Sequence, residues 1–172
     1  MVAKLDDWHA NGFVLPPDDL CPISDSFYGI FNDESTVFLP KIEELVGKKL
    51  FPTYTYARIY ARNEMLLPHR DRGACEYSFS LTLKYDQEVW PLYLQTDAGI
   101  EEVFLEPGDM LLYRGTEQLH WRLRLNTAYQ YQAFFHYVDQ NGPYADKKFD
   151  GRESFGSTQD ALDVLKRKKH VL

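Results

Sequence analysis

Between residues 53 and 138 the chain is a succession of short runs of Tyr, Phe, Val, Thr and Leu in period-2 order, each closed by Gly, Pro, Asn or Asp. Alternation at period 2 puts every second side chain on one face of an extended chain, so each run reads as a strand with one face turned inward. Eight runs can be counted, at 53–62, 65–69, 75–85, 90–95, 101–106, 109–114, 119–125 and 128–138. No helical periodicity separates them, which removes the crossover helices that a parallel sheet requires. Eight antiparallel strands in about 85 residues predict a mainly β fold, a jelly roll or double-stranded β-helix, rather than an α/β fold.

The flanks read differently. Up to Glu34 the turn formers Asn11-Gly12, Pro16-Pro17-Asp18-Asp19 and Asn32-Asp33 suggest an irregular arm laid over the domain. Beyond Ser35, the residues Ile42, Leu45 and Val46 fall on one helical face, so a helix is expected there, ending near Gly47. At the other end, Ser157-Thr-Gln-Asp reads as an N-cap with an acidic first turn, and Lys166-Arg-Lys-Lys as the last turn of a closing helix. The expected organisation is one domain over 1–172, with an arm and helix in 1–52, the jelly roll in 53–138, and a loop and C-terminal helix in 139–172.

Composition bounds the function. A hydrophobic content of 44% excludes a disordered chain, and a formal net charge of -7 disfavours a phosphate-backbone partner, since such affinity comes from Lys and Arg displacing counterions. Cys21 and Cys75 belong to no CxxC pair and read as free thiols of a reducing, cytoplasmic setting. The start of the chain lacks the basic-then-apolar order of a signal peptide, and no apolar run approaches the ~18 residues that span a bilayer.

Three residues carry the chemistry. In Leu66-Leu67-Pro68-His69-Arg70-Asp71-Arg72-Gly73, a His and an Asp two apart on an extended chain share a face and can meet one ion. His120 follows Asp71 by 49 residues, at the mouth of a later run. Two imidazoles and one carboxylate on one side of an ion form the facial triad of non-haem Fe(II) oxygenases, with open positions for co-substrate and O2. His9, His136 and His170 have no partners at such spacing and read as structural; His136, in Phe134-Phe135-His136-Tyr137, reads as a packed strand residue. His69-Arg70-Asp71 also mimics a kinase catalytic-loop triplet, but position 76 is Glu and no Gly-rich phosphate loop exists.

With this His-x-Asp, the distal His and the Pro107-Gly108-Asp109 turn, the chain resembles the 2-oxoglutarate and Fe(II)-dependent oxygenases, close to the prolyl-hydroxylase-like branch, over about 56–138. The resemblance implies Fe(II) on His69, Asp71 and His120, with 2-oxoglutarate and O2 as co-substrates. It implies hydroxylation of a peptidyl or free amino-acid substrate, with release of succinate and CO2. The family places a cation about ten residues after the distal His, but position 130 is Gln. Arg122 and Arg124 share the parity of His120 and are the nearest cations for the far carboxylate, with Arg58 and Tyr60 on the first strand as a second source. The arm before residue 35 and the loop at 84–90 are expected lids. Two other readings stand beside this one: a cupin-like metal enzyme that uses no keto acid, although the chain has no His-x-His pair, and a non-catalytic jelly-roll binding module.

Overall fold

The computed structural model describes residues 1–16 and 18–169; His170 lies outside them. The eight runs become β2 to β9: β2 (Leu50–Ala61), β3 (Leu66–His69), β4 (Tyr77–Tyr85), β5 (Leu92–Thr96), β6 (Gly99–Val103), β7 (Met110–Tyr113), β8 (His120–Arg122) and β9 (Tyr129–Asp139). The arm is more ordered than its turn formers suggest, because it contains α1 (Val2–Ala10) and β1 (Asp25–Tyr28). Leu5 and Trp8 of α1 and Phe27 of β1 are buried in the main core, and that burial fixes an arm with little local propensity of its own.

Two antiparallel sheets face each other, one in the order β1-β2-β9-β4-β7 and the other β3-β8-β5-β6. This is a double-stranded β-helix, with β1 as an added edge strand. The strand pattern divides the larger sheet into two chemically distinct faces. Ala57 and Ile59 of β2, Phe79 and Leu81 of β4, and Tyr131, Ala133, Phe135 and Tyr137 of β9 form the main apolar core with Leu5, Trp8 and Ile42 from the helices. The alternate residues point toward the smaller sheet and, apart from Phe134, are polar: Thr82, Ser78 and Ser80 on β4, Gln130, Gln132 and His136 on β9, all buried. A dry core therefore lies outside the sheet and a polar cavity inside it.

The helix α2 (Asn32–Val46) starts three residues earlier than Ser35 implies. Its first turn is satisfied by tertiary partners: the Asp33 N–H donates to Thr158 Oγ1 at 3.4 Å, while the Ser35 hydroxyl is buried against Tyr137 Oη at 2.8 Å. Gly47 ends it at φ 71°, the left-handed conformation that glycine adopts without strain. The closing helix α3 (Thr158–Lys169) begins as expected, with Ser157 Oγ accepting from the Asp160 N–H at 3.1 Å and Asp160 Oδ2 accepting from the Ser157 N–H at 2.7 Å. Both cysteines are free and buried. Among the described residues no helix is long and apolar enough to cross a membrane.

Candidate metal centre

Strand register brings the two distant histidines together. His69, at the end of β3, is the direct cross-strand partner of His120, at the start of β8, and their rings stand 4.2 Å apart. Asp71 follows β3 and is fixed by its backbone, whose N–H donates to the Gly115 carbonyl at 2.9 Å. The two histidines are oriented in the same way: Nδ1 of His69 meets the Leu67 carbonyl at 2.8 Å and Nδ1 of His120 meets the Gln118 carbonyl at 2.9 Å. A carbonyl only accepts, so Nδ1 carries the proton and Nε2 of the neutral ring keeps its lone pair. Both Nε2 atoms face Asp71 Oδ1, at 3.5 and 3.6 Å. The donor set fits a divalent cation of the facial-triad kind: two imidazoles with free lone pairs and one carboxylate oxygen converging on one point.

The electrostatics follow from burial and pairing. For Asp71, burial favours the protonated acid, but His69, then His120 and His136, outweigh it and hold the carboxyl below its ordinary range. Burial pulls His69 down, yet the Asp71 bond and the Leu67 carbonyl raise it overall. His120 is only 2% exposed, and burial wins there, lowering its affinity for protons. A second group, Asp71, Cys75 and His136, is close enough to share an ion, but burial pushes the Cys75 thiol up to about 12, far from the thiolate a metal needs. The Cys75 sulfur instead contacts Tyr54 Oη at 3.1 Å.

The triad opens on a cavity of about 280 Å³. Tyr54, Tyr56, Arg58 and Tyr60, the alternate residues of β2, form one wall. The cations expected for a carboxylate have separate fates. Arg58 is buried and already neutralised, its Nη2 donating to Asp18 Oδ2 at 2.6 Å and to Tyr56 Oη at 3.0 Å. Arg124 lies beyond the end of β8, where the strand parity no longer holds; it is exposed, donates to the Asn63 carbonyl and does not line this cavity, contrary to the alternation argument. Arg122 lies in the cavity wall, 3% exposed, with its guanidinium 4.9 Å from the Trp90 ring and Nη1 donating to the Trp90 carbonyl. Its Nη2 is buried without a hydrogen-bond partner. The groups acting on its charge are Tyr60, Tyr113 and Cys21, with no carboxylate among them, and burial alone lowers its pKa.

Tyr60 is buried edge-on to Trp90, with ring centroids 4.9 Å apart, on the same side as Arg122. Gln130, at the position where the resembled family carries a cation, accepts from the Trp90 N–H at 3.1 Å, and so braces the segment that Arg122 stacks on. Of the two expected lids, the arm contributes Asp18 and Leu20 to the cavity wall, whereas the 84–90 loop does not line it. His136, which reads as a packed strand residue because three aromatics surround it, is indeed buried against Tyr54 and Phe134, and it also lines the cavity. The signal available was parity, since 130, 132, 134 and 136 share one face of β9 and three of the four are polar.

The sequence matches no protein-family model and no curated protein. Solved structures do share its architecture. An oxidoreductase of the 2OG-Fe(II) oxygenase family from Burkholderia pseudomallei superposes with a TM-score of 0.61 at 11% identity, over 81% of this chain and 78% of its own. This chain has the 2OG-Fe(II) oxygenase fold. A Trichoplax adhaerens prolyl hydroxylase, in complex with a peptide fragment of the hypoxia inducible factor oxygen degradation domain, gives a TM-score of 0.61 at 12% identity, over 81% and 76% of the two chains. HygX from Streptomyces hygroscopicus, with nickel, 2-oxoglutarate and hygromycin B bound, gives 0.59 at 11% identity, over 81% and 79%. The 2OG-Fe(II) oxygenase fold thus serves both peptide and small-molecule ligands, and what this chain does has to be argued from its own site.

Proposed function

We propose that the chain is an Fe(II)- and 2-oxoglutarate-dependent oxygenase that hydroxylates a peptidyl or free amino-acid substrate. The observation that carries the reading is Arg122: a buried guanidinium with an unpaired Nη2, in the wall of the same cavity as the His69, Asp71 and His120 cluster. A buried cation without a counter-ion is costly, and an incoming carboxylate removes the cost. Metal ligands at one point of a cavity and a carboxylate receptor in its wall are what a keto acid needs to be held at both ends. When bound, Fe(II) supplies O2 activation coupled to decarboxylation of the keto acid, giving succinate, CO2 and a hydroxylated substrate carbon.

The chain's own residues divide the remaining tasks. His69, Asp71 and His120 hold the metal, and Arg122 with the neighbouring Tyr60 binds the far carboxylate of 2-oxoglutarate. Tyr54, Tyr56 and Phe134 present ring faces to the substrate and exclude water. The other cations of this wall are internally paired, Arg58 with Asp18 and Arg72 with Asp150, so the substrate side suits a neutral, ring-bearing side chain more than a charged one. A peptide in the complex of the Trichoplax prolyl hydroxylase supports the peptidyl reading. The net charge of -7 favours a neutral or basic partner over nucleic acid.

The test is turnover of 2-oxoglutarate to succinate by Fe(II)-loaded protein in air, with and without proline-containing peptides and free amino acids. Succinate formation that a substrate stimulates and that needs far more 2-oxoglutarate in Arg122→Met is the expected result. Metal binding without keto-acid consumption would favour the cupin-like reading, and failure to bind metal would leave a jelly-roll binding module.

A further inference from the structure

The two oxygens of Asp71 have different surroundings. Oδ1 faces the two Nε2 atoms, whereas Oδ2 lies 3.2 Å from Ser78 Oγ. Ser78 is on β4 between its register partners His136 on β9 and Tyr113 on β7, so the three side chains share the inner face of the sheet. The Ser78 hydroxyl also lies 3.2 Å from the Cys75 carbonyl and 3.0 Å from His136 Nδ1. A serine has one proton to give, and both the Asp71 carboxylate and the Cys75 carbonyl can only accept it. A charge-assisted bond to Asp71 is the stronger use of that proton, so His136 donates from Nδ1 to the serine oxygen.

Resting on the functional reading above, we propose that Ser78, oriented by His136, is a positioning residue that engages Oδ2 of Asp71 and leaves Oδ1 as the carboxylate's single metal-facing oxygen. A carboxylate free to turn would bind through both oxygens and close a position that the co-substrates need. The surroundings of Asp71 enforce the same orientation, because Gly115 packs so closely that a Cβ there would lie 2.3 Å from Oδ2 and 2.8 Å from Ser78 Oγ. His136 thereby belongs to the site through Ser78, not through contact with the metal.

The experiment is a Mn(II) titration of the full chain, with free Mn(II) read by electron paramagnetic resonance and the fold of each metal-free variant checked by thermal melting. Loss of an outer hydrogen-bond partner weakens metal binding by about 10- to 100-fold, and that loss is expected for Ser78→Ala. His136→Leu, which removes the donor, should lose about tenfold, while His136→Asn, which keeps an N–H near the Nδ1 position, should stay within about threefold of the unaltered chain. Rescue by Asn but not Leu is a result that loss of packing alone would not give. Unchanged Mn(II) affinity in Ser78→Ala, or equal losses in the Leu and Asn variants, would overturn the proposal. If Ser78→Ala does not fold, the two His136 variants decide. Failure of the unaltered chain to bind Mn(II), or retention of binding in His69→Ala, would instead overturn the metal-site reading on which the proposal rests.

Discussion

Replacing Arg122 by Met should make the protein more stable and less able to bind 2-oxoglutarate. Arg122 is 3% exposed, and one end of its guanidinium has no partner. Replacing buried ionic groups by apolar residues of similar volume is commonly neutral or stabilising by about 1–4 kcal/mol. Two losses work against that gain. The stacking on Trp90 at 4.9 Å contributes about 1 kcal/mol. The Trp90 carbonyl loses Nη1 but keeps a long contact to Gln130 Nε2 at 3.5 Å. A net gain of about 1 kcal/mol remains, a rise of about 2–4 °C in Tm for a domain of this size. The keto acid, by contrast, loses the charged partner of its far carboxylate, at a cost of about 2–5 kcal/mol, or roughly 30-fold to a few thousand-fold in affinity. Differential scanning calorimetry of the metal-free variant and calorimetric titration of the Mn(II)-loaded protein with 2-oxoglutarate read the two effects separately. A fall in Tm of more than about 4 °C, beyond what about 1 kcal/mol explains, would mean that the guanidinium is satisfied within the fold. Unchanged keto-acid affinity would mean that the carboxylate goes elsewhere.

Other expectations follow from the same geometry. Gly115→Ala forces a Cβ to within 2.5 Å of the Cys75 carbonyl, so overpacking should cost about 1–3 kcal/mol and displace Asp71, with metal affinity falling by about 10- to 100-fold. Gly47→Ala is the control, since nothing lies within 4 Å there; chemical denaturation should show only the backbone cost of about 1 kcal/mol, with metal binding intact. Asp18→Asn should destabilise the arm by about 2 kcal/mol at pH 7, less than the 3–5 of a fully buried pair because the Asp18 side chain is 39% exposed. Burial raises the Asp18 carboxyl, but Arg58 outweighs it and the native pKa lies below the ordinary 3.8. The stability it contributes is therefore complete above that value and is lost as pH falls through the native pKa, so urea melts of the two proteins should converge in acid. His69→Ala should abolish Mn(II) binding with a small change in Tm, because the ring lies at the edge of the cavity and outside the apolar core.

Much of the fold was legible because strands and their faces are local in sequence. The eight runs map one for one onto β2 to β9, and the His-x-Asp spacing with His120 points to two histidines that register sets face to face and an Asp71 that the loop after β3 brings beside them. What escaped was fixed by tertiary partners. The four residues of β1 are held by pairing with β2 at the edge of the larger sheet and the nine of α1 by burial of Leu5 and Trp8 in its core, which no local pattern announces. The choice among Arg58, Arg122 and Arg124 turned on where β8 ends and on Asp18 reaching Arg58 across 40 residues. His136 was hidden among aromatics because the inner face of β9 mixes Phe134 with polar residues, and only the pairing of β9 with β4 puts it on Ser78.

The most direct test of the account is an anaerobic titration of Fe(II)-loaded protein with 2-oxoglutarate, watched in the visible for the weak charge-transfer band of a keto acid chelated to open-site iron. The account predicts a saturable band that disappears in His120→Ala and needs far more keto acid in Arg122→Met. Iron that binds to the unaltered protein but gives no band at saturating 2-oxoglutarate would contradict it.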